Sequence, residues 1–152
     1  MRVFRKNRIR FRPLELSDAV FISRWLTDTL RQSPQWERQF LRLLLDEWHK
    51  TINLTRETSW MAIHKDQRLF FLELVAEDEV FLTGPRGIFD HHVTAYTAWK
   101  HVVTHLRSLG TLPGIRVTLD KTRYIECECL LDLGFTETTI NGAQRTFQLH
   151  WP

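Results

Sequence analysis

The stretch that decides the fold is RFRPLELSDAVFISRWL, residues Arg10–Leu26. Arginines at every second position from 8 to 12 are separated by Ile9 and Phe11, and this period of two predicts a strand with both apolar side chains on one face. Ser17 is the predicted N-cap of the helix that follows. The apolar side of that helix is formed by Phe21, Ile22, Trp25 and Leu26. The chain therefore begins with a strand joined to an amphipathic helix.

Changes in the spacing of apolar residues predict the remaining elements. They are a helix over 34–52, strands over 59–64, 69–76 and 80–83, a helix over 91–109 with Trp99 on its buried side, a strand over 115–119, a helix over 122–133 and a strand over 145–150. The order β-α-α-β-β-β-α-β-α-β predicts an α/β protein. We expect a single domain over residues 1–152, with a mixed, mostly antiparallel sheet flanked by helices.

The composition limits which class of protein this can be and where it is expected to be found. The 152 residues are 43% hydrophobic and 12% aromatic, which predicts a globular domain with a buried core. No apolar run approaches the roughly 20 residues of a membrane span, so we expect no membrane association. Cys127 and Cys129 are too close together to form a disulfide framework, which predicts a cytoplasmic location.

The net charge of +3 is concentrated in six basic residues between positions 2 and 12. Such a cluster fits either a nucleic-acid footprint or a solvated edge strand that resists edge-to-edge pairing. No aromatic residues are interleaved as a stacking platform for bases, so the edge strand is favoured and nucleic acid is disfavoured as a partner.

Two polar clusters raise the possibility of chemistry. Asp90, His91 and His92 stand at a predicted helix start, where Asp90 is the expected cap and the histidines the first turn. His101 and His105 have the i, i+4 spacing of a metal pair, but Val102 replaces the glutamate of the zinc protease motif, so a solvated helix face is favoured. We predict no metal site and no catalytic cysteine.

Several local sequences resemble the GNAT acetyltransferase superfamily. RFRPLELSDAVFISRWL is similar to its opening strand and helix, LDLGF at Leu131–Phe135 to the segment after its final helix, and TFQLHW at Thr146–Trp151 to its last strand. The resemblance covers essentially the whole chain. It implies a GNAT-like fold and an acetyl-CoA-dependent acyl transfer to an amine, carried by a small molecule or a protein.

The resemblance also implies positions for the acetyl-CoA site. Counting back from Gly110 places the pyrophosphate loop at residues 90–95, so the amides of His92, Val93, Thr94 and Ala95 would hold the pyrophosphate. Asp90 and Val93 stand where the family has Arg/Gln and Gly. The strand ending in Phe81, Leu82 and Thr83 would pair with the pantetheine amides.

A general base is required to deprotonate the amine, and position along the strands makes Glu73 and Glu79 candidates. The alternatives are that Glu73 faces solvent on an alternating strand and that Glu79 is a turn residue. Leu130 occupies the position of the family's general-acid tyrosine, and Arg123 that of its helix-start asparagine.

A second resemblance gives the alternative function. NGAQRTFQLHW at Asn141–Trp151 is similar to the GNAT-like proteins of tailed phages, which lack these motifs. That resemblance implies a non-catalytic protein that binds a phage or host protein, in the host cytoplasm or inside a virion.

Overall fold

The computed structural model describes residues 9–32, 58–75 and 77–152, with residues 29–32 described by their backbone alone. The strands are β1 (Ile9–Pro13), β2 (Ser59–His64), β3 (Gln67–Val75), β4 (Glu79–Thr83), β5 (Gly114–Asp120), β6 (Thr136–Asn141) and β7 (Gln144–His150). The helices are α1 (Ala19–Gln32), α2 (Arg86–Phe89), α3 (His92–Ser108) and α4 (Tyr124–Asp132).

The strands of the described residues form one sheet in the order β1-β2-β3-β4-β5-β7-β6. All neighbouring strands are antiparallel except β4 and β5, which are parallel. The chain crosses between these two through α2 and α3, as a parallel connection requires. The predicted α/β domain with a mixed, mostly antiparallel sheet flanked by helices is confirmed.

Each face of the sheet has its own apolar core. On one face Trp99 and Leu106 of α3 and Leu130 of α4 pack against alternate residues of the strands. On the other face Ile22 and Leu26 of α1 belong to a smaller cluster. Each fully buried side chain of this size contributes about 1.5–3 kcal/mol, so both faces must be covered for the sheet to be stable.

Two predicted regions lie outside the described residues: most of the basic start of the chain and the helix over 34–52. Two elements were not predicted. β6 has the sequence TETTIN, and its mostly exposed residues show no alternation of apolar and polar side chains. α2 has four residues, too few to show a helical period. Of the helices in the described residues, none combines the length and apolar character that crossing a bilayer requires.

The start of α1 is organised by Asp18, and the prediction that Ser17 caps the helix is wrong. A 3-10 turn, Leu16–Asp18, precedes α1. The Asp18 carboxylate accepts a hydrogen bond from the Glu15 amide at 2.8 Å. The fully buried Asp18 also accepts two hydrogen bonds from Arg12, both at 2.8 Å, and one from Arg68 at 2.7 Å. Ser17 instead accepts a hydrogen bond from Arg68 at 3.0 Å. Arg12 is therefore part of an internal ion-pair cluster rather than a solvated edge residue.

The close approach of β5 to β7 requires a glycine at position 114. A Cβ there would collide with the carbonyl oxygen of Leu149 on β7 and would approach the Cα of His150 to 3.0 Å. We expect Gly114→Ala to lower the free energy of unfolding by about 1–3 kcal/mol, because backbone atoms must move to relieve the overlap. Urea unfolding followed by tryptophan fluorescence measures the change.

Gly87 in α2 provides the matched control, since a Cβ at that position meets no atom within 4 Å. Gly87→Ala should leave stability unchanged or raise it by about 0.4–1 kcal/mol through the unfolded state. Equal stabilities for the two alanine variants would contradict the close approach at Gly114.

Candidate active site

A cleft opens in the sheet where the parallel strands β4 and β5 separate. The two strands pair at one position, Glu79 opposite Arg116, and the Arg116 amide donates to the Asp78 carbonyl at 2.9 Å. Every other neighbouring pair in the sheet is joined at five or more positions. Beyond Glu79 no further ladder pair between β4 and β5 is found in the described residues, so the two strands separate from that point.

A cavity of about 390 Å³ occupies the cleft. Its apolar wall includes Leu82 of β4, Leu119 of β5 and the ring of Trp99 from α3, while Thr118 and Arg123 add polar groups. Small-molecule sites have roughly this size, from about 300 to 1,000 Å³, and combine mainly apolar walls with a few polar groups. The cleft is thus suited to an extended organic molecule lying between two strands.

A chain of hydrogen bonds behind the cleft fixes the orientation of two wall residues. The Trp99 indole N–H donates to Glu126 Oε2 at 3.0 Å, and Arg123 donates to Glu126 Oε1 from Nε at 2.9 Å and from its terminal nitrogen at 2.7 Å. Glu126 is buried, so this ion pair is shielded from solvent. The sequence interpretation placed Trp99 in the core and did not assign Glu126. The i, i+3 spacing of Arg123 and Glu126 was the available indication of their pairing.

Of the two predicted bases, Glu79 lines the cleft. Its carboxylate lies 3.6 Å from a guanidinium nitrogen of Arg116, which is also 3.6 Å from Asp78. Glu73 lies one strand away, opposite Phe81 in the β3–β4 ladder, and it is buried rather than facing solvent. Glu79 is the first residue of β4 rather than a turn residue.

The predicted coenzyme strand and loop lie close together in the sequence. Phe81 and Leu82 border the cavity, whereas Thr83 is buried where β4 ends. α3 begins nine residues farther on, at His92, after α2. The strand end and the helix start are thus joined by a short segment, as the predicted site requires.

The start of α3 offers three backbone amides. His91 is its N-cap, with no side-chain cap, so the prediction that Asp90 caps the helix is wrong. The first-turn amides of His92, Val93 and Thr94 have no acceptor within the helix. The amide of Ala95 donates to the His91 carbonyl at 2.9 Å and is committed inside the helix.

The side chains around these amides leave the helix start accessible. Asp90 lies 3.6 Å from Arg86 of α2, so its charge is balanced by a cation one turn away. His92 lies 3.4 Å from Asp132 on α4. The buried Thr94 hydroxyl donates to the Ile88 carbonyl at 2.5 Å, and the Val93 side chain is 75% exposed.

The other residues considered for catalysis lie elsewhere. Tyr124 is 60% exposed on α4, and Leu130, at the tyrosine position of the resemblance, is fully buried. Burial raises the pKa of Cys127 to about 11 and that of Cys129 to about 12, so both thiols are protonated at neutral pH. Within the described residues, no group of three or more metal-ligating side chains is found.

No protein-family model matches the chain, and no curated protein matches it. Solved structures match over nearly the full length. Spermidine N-acetyltransferase from Vibrio cholerae, in complex with CoA and spermine, is 15% identical with a TM-score of 0.66, over 94% of each chain. The N-acetyltransferase PseH of Campylobacter jejuni, in complex with acetyl coenzyme A, is 10% identical with a TM-score of 0.64, over 95% of this chain and 99% of that one. The chain therefore has the GNAT N-acetyltransferase fold.

Proposed function

We propose that the protein is an N-acetyltransferase that transfers the acetyl group of acetyl-CoA to a small-molecule amine. The observation that carries this proposal is the split between β4 and β5, with a cavity of about 390 Å³ between the separated strands. Fold alone does not establish function. The cleft adds a site of suitable size whose walls include β4, β5 and Trp99 of α3.

The cleft and the helix start fit the two ends of acetyl-CoA. The backbone of Phe81, Leu82 and Thr83 would pair with the pantetheine amides, and the apolar walls would cover the pantetheine chain. The free amides of His92, Val93 and Thr94 would hold the pyrophosphate, helped by the partial positive charge of the helix N-terminus. The positive charge of Arg86 offsets the negative charge of Asp90, so a carboxylate beside the phosphates does not exclude the binding of acetyl-CoA.

Glu79 is the proposed general base. The amine attacks the thioester carbonyl carbon, the new C–N bond forms, and the C–S bond breaks. Glu79 takes the proton from the amine, directly or through a water molecule, and CoA leaves as its thiolate. With Leu130 buried in the position of the family's tyrosine, the thiolate takes its proton from solvent.

The acceptor belongs to the same proposal. The neighbours in complex with spermine or named for spermidine make polyamines the first acceptors to test. The competing function is that of the GNAT-like proteins of tailed phages, which bind a protein partner without catalysis. Asp90 and Val93 in the phosphate loop and Leu130 on α4 favour that alternative.

Binding of acetyl-CoA, measured by isothermal titration calorimetry, separates these two functions. We expect saturable binding by the natural protein. Thr118→Trp should weaken it about tenfold or more, because a large ring from β5 would occupy the cavity. The matched control is Thr139→Trp, which makes the same change at an exposed position of β6.

If the natural protein gives no heat at high micromolar acetyl-CoA, the acetyltransferase proposal is wrong. If Thr118→Trp and Thr139→Trp bind equally well, acetyl-CoA binds outside the cleft. Thermal melting of each variant shows whether it is folded before binding is compared.

A further inference from the structure

A second groove lies between β1, at the edge of the sheet, and the polar face of α3. Its volume is about 560 Å³. In the sheet order, three strands lie between β1 and β5, namely β2, β3 and β4. The groove beside β1 is therefore separate from the cleft beside β5. Tyr96, Lys100, His101 and His105 of α3 border it on one side, and Phe11 of β1 borders it on the other. The polar face of α3, which was expected to be solvated, lines this groove, and Lys100, Thr104 and Ser108 on it are exposed.

His105 holds an unsatisfied polar atom at the groove. Its ring stacks on Phe11 with centroids 4.5 Å apart and meets the edge of Trp60 at 4.8 Å. In the described residues, its Nε2 is buried and has no hydrogen-bond partner. Burial also lowers the pKa of His105, which favours the neutral imidazole. A buried polar atom without a partner is costly, which marks His105 among the residues that line the groove.

His101, one turn earlier on α3, is held by its other ring nitrogen. Nδ1 lies 2.8 Å from the Thr97 carbonyl, which can only accept, so Nδ1 carries a proton. Nε2 is thereby left for a ligand, as acceptor in the neutral ring or as donor in the cation. The helix backbone thus fixes the orientation of this imidazole in advance.

Among the described residues, the charge that lines the groove is positive. Its lining in the described residues includes Arg10 and Lys100 and no carboxylate. Neither of these cations forms an ion pair with a described residue, and both are exposed. Elsewhere arginines pair with carboxylates, namely Arg12, Arg68, Arg86, Arg116, Arg123 and Arg145. Two unpaired cations and two imidazoles in one groove form a site for a dianion.

We propose that the groove between β1 and α3 binds a small organic molecule that carries a phosphate monoester. Lys100 and Arg10 neutralise its charge, His101 donates to it from Nε2, and the rings of Phe11 and His105 cover its organic part. A carboxylate monoanion would leave one of the two cations uncompensated, which is why a phosphate is favoured. This site does not depend on the proposed acetyltransferase activity.

Phenyl phosphate is a suitable probe, titrated into the full ¹⁵N-labelled chain at pH 7 and low salt. We expect saturable shifts of the imidazole nitrogens of His101 and His105, assigned with His101→Gln and His105→Gln. Lys100→Glu should weaken binding about tenfold, because a repulsive charge replaces a charged donor. Arg24→Glu makes an equal change of charge on exposed α1, across the sheet, and should leave the affinity unchanged.

Three outcomes would overturn the proposal. These are shifts that do not saturate, shifts confined to His91 and His92 at the start of α3, and equal affinity for Lys100→Glu and the natural protein. Benzyl alcohol, which has a similar ring and no phosphate, should give no saturable shift, and saturation by it would also count against the phosphate. The Thr118→Trp variant should respond as the natural protein does, because its change lies in the cleft.

Discussion

Replacing Glu79 by glutamine is expected to lower the turnover number for acetyl transfer by about 10²–10⁴-fold, the usual contribution of a positioned general base. Glutamine keeps nearly the shape of the side chain and removes its ability to take a proton from the amine. Glu79 stands at the point where β4 and β5 separate and lines the cleft in which the thioester would lie. The affinity for acetyl-CoA should change little, since the proposed phosphate and pantetheine contacts come from the backbone. Release of CoA thiol is followed with a thiol reagent, using whichever polyamine or other amine is acetylated fastest.

The chain provides a close control for this change. Asp78 precedes Glu79 and lies at the same 3.6 Å from Arg116, yet it does not line the cleft. Asp78→Asn should therefore retain nearly full turnover. Glu73→Gln tests the second predicted base, which is buried one strand away. A turnover number for Glu79→Gln within a few fold of the natural protein would remove Glu79 from the mechanism, and a large loss in Glu73→Gln alone would assign the role to Glu73.

Asp18→Asn is expected to lower the free energy of unfolding at pH 7 by about 3–5 kcal/mol, as removal of one partner from a buried ion pair does. The fully buried carboxylate accepts hydrogen bonds from Arg12 and Arg68 and from the Glu15 amide. An asparagine has no negative charge, so both partly buried guanidinium groups would lose this counter-charge, and among the described residues Arg12 would keep only the exposed Glu15 at 3.7 Å. Asp28→Asn makes the same substitution at an exposed position of α1 and should change stability by less than about 0.5 kcal/mol.

The pH dependence of stability distinguishes the charge of Asp18 from its shape. Burial raises the pKa of Asp18, but the hydrogen bonds from Arg12, Arg68 and the Glu15 amide outweigh burial and lower the net pKa. A carboxyl group with a lowered folded-state pKa stabilises the fold above its unfolded pKa of about 3.9, and this stabilisation is lost as the pH falls through the folded value. The difference between the natural protein and Asp18→Asn should therefore be complete at pH 6–7 and shrink below about pH 4. A difference that persists unchanged into acid would show that shape, not charge, is responsible.

Local sequence pattern was sufficient to predict an element when the apolar residues of that element recur with a clear period. Ser59–His64 was predicted to the residue, and the start and end of α3 were each predicted within one residue. β6 could not be predicted in this way, because it owes its place to hydrogen bonds with β7 rather than to an apolar face. The same limit explains the wrong cap at Ser17. Asp18 has its second guanidinium partner 50 residues away, at Arg68.

The elements around the cleft were predictable, but the cleft itself was not. The spacing from Gly110 located the start of α3, and the order of strands located β4 and Glu79. The separation of β4 from β5 depends on how two strands pack that are connected through two helices. No local sequence pattern predicts that separation. Trp99 was recognised as a core residue, but its role in orienting Arg123 through Glu126 depends on α4, 27 residues farther along the chain.

The single residue pair that joins β4 to β5 has a consequence for how the native state opens. The antiparallel strands on each side, β1 to β4 and β5 to β7, form two blocks with extensive internal hydrogen bonding and almost none between them. We expect them to behave as separate cooperative units, each able to open by a sub-global fluctuation while the other stays protected from amide hydrogen exchange. A molecule bound to both walls of the cleft would couple the opening of the two units, because neither unit could open without releasing that molecule.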